Sequence, residues 1–176
     1  MRAATIRRSG FDWSEYRLGL ALVPVAAYFL VVPYGSSGAA GLPWFLVHSL
    51  NLIVHEAGHA VFSWTGDWWH AAGGSVLQLA LPALFVWQGV YWSNRAGAQL
   101  SLLWLGQNFV DVSVYAADAP ARALPLLGGM GHENHDWWWM LIRLGKLAWA
   151  DEIAFTLVAL GVLCWVAMVA LPRWMM

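Results

Sequence analysis

His55-Glu56-Ala57-Gly58-His59 places two imidazoles four residues apart with a carboxylate between them. On a helix, positions i and i+4 share a face about 6 Å apart along the axis, so both rings can hold one tetrahedral Zn²⁺. Glu56 then lies beside the cation, where it can take the proton of a water whose pKa the metal lowers to about 7. The flanks Leu52-Ile53-Val54 and Ala60-Val61-Phe62 are apolar. Ionisable groups are costly in hydrocarbon surroundings and are usually functional there. Simple pairing of His with Glu would not require this spacing, so the pattern points to metal-assisted hydrolysis.

The elements that carry the motif are membrane helices by composition. Of 176 residues, 60% are hydrophobic and 11% charged, against about 45–50% and about 25% in a soluble domain. The chain therefore reads as an all-α, polytopic transmembrane bundle of about five spans plus a short interfacial helix, in one integral membrane domain covering residues 1–176. Apolar runs and turn residues set the spans at 18–32, 42–64, 75–92 (kinked near Pro82), 97–117 and 153–171. The stretch 65–74 reads as a polar and aromatic break. Residues 137–149 are too short to cross and contain Arg143 and Lys146, which suits an interfacial helix. Residues 118–136, with two prolines and Gly128-Gly129-Met130-Gly131, form a loop. Arg2, Arg7, Arg8 and Arg17 precede the first span, which puts segment 1–17 and the N-terminus in the cytoplasm and loop 118–136 on the same side. The second and fourth spans then both descend toward the cytoplasm. Clustered tryptophans such as Trp68-Trp69 and Trp137-Trp138-Trp139 suit the headgroup level.

Nine Lys and Arg against ten Asp and Glu leave no basic field for phosphates, so nucleic acid is excluded as a partner. The single cysteine, Cys164, cannot form an internal disulfide. Membrane lipid is the surrounding the composition demands.

Two imidazoles and a water leave zinc one protein ligand short. His55 lies 13 residues below Leu42, roughly 20 Å, and Asp111 lies 14 residues below Gly97, roughly 21 Å. Since the two spans run in the same direction, Asp111 is the first choice for third ligand, with Asn108 one turn earlier on the same face. The alternative is His135, in the loop segment His132-Glu133-Asn134-His135-Asp136; His132 is a weaker one. Asn108, Gln78 and His135 are the candidates for binding substrate or an oxyanion. His48 and Asn51 continue the face of His55 upward as a polar track, and His70 reads as an interfacial side chain.

An H-E-x-x-H on a membrane helix, with an aspartate on a later one, resembles the site-2 protease family of intramembrane zinc metalloproteases, in a compact bacterial branch. The resemblance covers about residues 46–115. It implies that His55, His59 and Asp111 hold zinc, that Glu56 is the general base, and that a membrane-embedded peptide or protein is cleaved near the cytosolic face of a bacterial inner membrane. The same pentapeptide occurs in membrane-anchored ATP-dependent metalloproteases, but these need a P-loop and no G-x-x-x-x-G-K-[ST] exists here. The competing expectation is a non-catalytic membrane protein whose zinc serves structure, sensing or transport. An open coordination position separates the two, because structural sites are closed by four protein ligands.

Overall fold

The computed structural model describes residues 16–126 and 131–171. The expected cytoplasmic segment lies outside them up to residue 15, as do residues 127–130 of the expected loop. Six α-helices follow one another: α1 (Arg17–Val31), α2 (Gly38–Phe62), α3 (Asp67–Tyr91), α4 (Arg95–Ala117), α5 (Asp136–Arg143) and α6 (Ala150–Ala170). Short 3₁₀ turns at His132–Asn134 and Leu147–Trp149 bracket α5. The chain is all-α among the described residues, as its composition requires.

Two stretches, Asp67–Tyr91 and Leu147–Ala170, are long and apolar enough to cross a membrane, fewer than the five spans expected. The reason lies in the other three helices. α1 has 15 residues, short of the ~20 that cross at normal incidence. α2 carries His48, Asn51, His55, Glu56 and His59, and α4 carries Gln99, Gln107, Asn108 and Asp111, so their average polarity is high. Those polar groups face inward: Asn51, His55, Gln78, Gln99, Gln107, Asn108 and Asp111 are all buried. Large apolar side chains occupy the outer surface, among them Phe45, Ile53, Leu84, Trp87, Phe155 and Leu163. This distribution inverts that of a water-soluble bundle.

α4 is the central helix, packed against α1, α3 and α6, while α2 packs on α3 and α5 bridges α3 and α4. Trp44 of α2 seals one end, buried with Ala26, Phe29, Val110 and Trp165. Its indole donates to Val32 O at 2.8 Å.

Residues 67–74, expected as part of a break, are the first two turns of α3. The glycines there serve packing. A Cβ on Gly58 would lie 2.2 Å from Gly73 O, and one on Gly74 would lie 2.4 Å from His55 Nε2. Small residues let helix backbones approach closely, and here that approach sets α3 directly against the motif face of α2.

Candidate functional site

α2 presents His55 and His59 on one face, with ring centroids 4.9 Å apart. Asp136, the first residue of α5, meets both. Its Oδ2 stands 3.2 Å from His55 Nε2 and 3.2 Å from His59 Nε2. The three donor atoms lie within 4.8 Å of one another, and donors about 2.1 Å from a tetrahedral ion are separated by about 3.4 Å.

The far side of each ring fixes its tautomer. His59 Nδ1 lies 2.7 Å from His70 O, and His55 Nδ1 lies 3.1 Å from Gln78 Oε1. Both partners only accept, so the proton sits on Nδ1 in each ring. Each Nε2 then faces the same carboxylate oxygen, offering its lone pair to a metal or, when the ring is protonated on both nitrogens, an N–H to Asp136. The three atoms converge on one point, with an outer hydrogen bond behind each ring, and could hold a metal ion.

Asp136 is itself held. Tyr115 donates to Asp136 Oδ2 at 3.3 Å, and the Asp136 backbone N–H donates to Tyr115 Oη at 3.1 Å. Burial opposes ionisation of Asp136, but hydrogen bonds and charge from His55 and His59 outweigh it and hold the carboxyl down to about 2. α5 is pinned to α3 by Trp137, whose indole donates to Ser75 Oγ at 3.1 Å.

The sequence-derived candidates divide. His55 and His59 sit at the cluster, and Glu56 lines the same cavity. Asp111 stands elsewhere: its carboxylate accepts from Asn51 Nδ2 at 2.9 Å and Gln78 Nε2 at 3.0 Å, and meets His48 Nδ1 at 2.9 Å. It reaches the cluster only through Gln78. The depth estimate took the starts of the two spans as level, whereas Asp111 pairs with His48 and Asn51, one to two turns before His55. His48 and Asn51 therefore do form a polar track, organised around Asp111.

His135 is also absent from the cluster. It is buried, caps α5 by accepting from Trp138 N at 3.2 Å, and lies over Tyr115 with ring centroids 4.2 Å apart. Its Nε2 is 3.4 Å from Asp118 Oδ2, within ion-pair reach but outside hydrogen-bond geometry. Burial lowers its basicity and Asp118 opposes that. Asn108 is buried and turned onto its own helix, donating to Trp104 O at 2.9 Å. Gln78 is occupied at both ends of its amide. Gln78 lines the cavity beside the cluster, and Asn108 is not among its lining residues. His132 is exposed in its 3₁₀ turn.

The cluster opens into a cavity of about 510 Å³ lined by α2, α3, α4, residues 124–126 and the start of α5. Its titratable lining is Glu56, Asp67, Asp111, Glu133 and Asp136 with His48, His55, His59 and His70 and the phenols of Tyr34 and Tyr115. Among the described residues no Lys or Arg lines it, so it favours a cation or a neutral chain over an anion.

Asp136 is the residue that reasoning from the sequence passed over. It lies beside His135 in the segment singled out there, but that segment was read as a glycine-rich loop. The available signal was Asp136-Trp137-Trp138-Trp139, an acidic first turn opening an amphipathic helix. Comparison of the chain with protein-family models, with characterised proteins and with solved structures finds no match.

Proposed function

We propose that this protein is an intramembrane zinc-dependent hydrolase that cuts an amide bond in a membrane-embedded peptide. The observation that carries the reading is the convergence of His55 Nε2, His59 Nε2 and Asp136 Oδ2, with Glu56 lining the adjoining cavity. Zinc bound there supplies Lewis acidity, lowering the pKa of a water to about 7 and polarising a carbonyl. Glu56 accepts the proton of the attacking water and returns it to the leaving amine. His70 O and Gln78 keep the two imidazoles in the metal-binding tautomer. Among the described residues three donors converge, which leaves a fourth position for substrate and favours hydrolysis over a structural site.

In this reading α1, α2, α3, α4 and α6 are the five membrane helices and lipid is their solvent. Inward polar and outward apolar faces support it, because intramembrane polar groups turn to the bundle interior. α5 spans only eight residues, about 12 Å of helix, and lies at the interface. Arg143 and Lys146 stack on Trp139 and Trp149, as suits a headgroup boundary. With the N-terminal arginines inside, α2 and α4 descend to the cytoplasmic face of a bacterial inner membrane and the cavity opens near that face.

Metal analysis of the purified full-length chain tests the reading. One zinc per chain is expected, lost in His55→Ala and Asp136→Ala and kept in Glu56→Gln, whose peptide cleavage is abolished. A wild-type protein that takes up no zinc, or an active Glu56→Gln variant, would overturn it.

A further inference from the structure

We propose that Asp111, acting through Gln78, dictates the tautomer in which His55 meets the metal, which makes Asp111 a positioning residue rather than a ligand. The inference rests on the zinc reading above.

The argument starts from two groups with a single hydrogen-bonding role. An indole N–H only donates and a carboxylate only accepts. Trp104 Nε1 donates to Asn51 Oδ1 at 2.9 Å, so the Asn51 amide nitrogen faces the other way, donating to Gln107 Oε1 at 2.7 Å and Asp111 Oδ2 at 2.9 Å. The same Oδ2 takes the Gln78 nitrogen at 3.0 Å. A planar amide whose nitrogen is committed to a carboxylate must turn its oxygen in the opposite direction. Gln78 Oε1 therefore faces His55 Nδ1 at 3.1 Å and can only accept from it. The proton is held on Nδ1, and the lone pair is left on Nε2, the atom 3.2 Å from Asp136.

Burial removes the alternatives. Asn51 is fully buried, and Gln78 and Asp111 are each 5% exposed, so water cannot readily substitute for a missing partner. The other oxygen of Asp111 is taken by His48 Nδ1 at 2.9 Å. An amide introduced at position 111 breaks the logic. Its nitrogen can donate to Gln78 Oε1, Gln78 is then free to turn its own nitrogen to His55, and the ring must move its proton to Nε2. The metal site loses a donor atom although no ligand has been replaced.

The test is zinc affinity of the full-length chain, by competition with a chromophoric chelator, together with the electronic spectrum of the Co²⁺-loaded protein. Asp111→Asn and Gln78→Leu are each expected to weaken zinc binding about 10–100-fold. The double variant should be no weaker than the weaker single one, because both act along one chain. At saturating Co²⁺, Asp111→Asn should keep the wild-type ligand-field bands, since the ligands are the same. Unchanged affinity in Asp111→Asn would overturn the relay alone. So would additive losses, or altered Co²⁺ bands, which would make Asp111 a ligand. If either variant fails to fold, the affinity of the other decides. Absence of zinc binding in the wild type would defeat the zinc reading itself, and the relay with it.

Discussion

Asp136 reaches across 81 residues of sequence to place Oδ2 3.2 Å from His55 Nε2. This contact joins the short helix α5 to α2, so the cluster is assembled only when α5 docks. The strongest dependence of metal binding should accordingly lie in α5. Asp136→Asn is nearly isosteric but removes the anionic donor. Zinc affinity should fall at least 100-fold while far-UV circular dichroism stays that of the wild type. An affinity within threefold of wild type would exclude Asp136 as a ligand.

Glu56 carries the proton in the proposed reaction and lines the cavity beside the cluster. Glu56→Gln should leave zinc stoichiometry and affinity unchanged and lower the cleavage rate of a membrane-embedded peptide by about 10²–10⁴-fold, the usual weight of a general base. Single-turnover assays on zinc-loaded protein separate this from a binding defect.

The helical class and the shared face of His55 and His59 were legible in the sequence because each rests on local signals. Apolar runs delimit the helices, and the spacing of His55 and His59 is a property of one helix. The third donor was not legible, because counting residues down two helices gives neither their relative height nor their rotation. Asp111 lay at the right count but meets His48 and Asn51. Gly73 and Gly74 misled in a related way: glycine marks a turn and a close helix contact with the same letter, and only packing against Gly58 distinguishes them.

His135 was the alternative ligand, and its position now assigns it the capping of α5. His135→Ala should remove the acceptor for Trp138 N and cost about 0.5–2 kcal/mol, the usual effect of losing a helix cap. Zinc affinity should fall modestly through looser placement of Asp136, with the Co²⁺ spectrum at saturation unchanged. A changed spectrum would return His135 to the ligand set.

In the metal-free protein the Asp136 carboxyl is held from its ordinary 3.8 down to about 2. A depressed carboxyl pKa stabilises the fold above its unfolded value and loses that contribution as pH falls through the folded value. This support for docking of α5 should be present at about pH 4–6 and lost between about 4 and 2, by roughly 2 kcal/mol. Thermal unfolding of metal-free wild type against pH should show this acid limb, and Asp136→Asn should flatten it.

Gly74 imposes a steric constraint directly on the His55 ring. A Cβ there would stand 2.4 Å from His55 Nε2 and 2.6 Å from both Cδ2 and Cε1. Nothing at the end of a flexible chain can yield, because the obstacle is a ring already held by Gln78. Gly74→Ala must therefore displace either the imidazole or the backbone of α3. Overpacking of this kind costs about 1–3 kcal/mol, partly offset by the roughly 1 kcal/mol by which alanine outranks glycine in a helix interior. The net change in thermal stability should be small and destabilising, whereas the loss of zinc affinity should be large, because the displaced atom is the donor. Gly97→Ala in α4 is a control, since the nearest atoms to its added Cβ belong to the Asn94 side chain, and it should leave zinc binding intact. Equal effects of the two substitutions on zinc would show that His55 is not held where its Nε2 now stands.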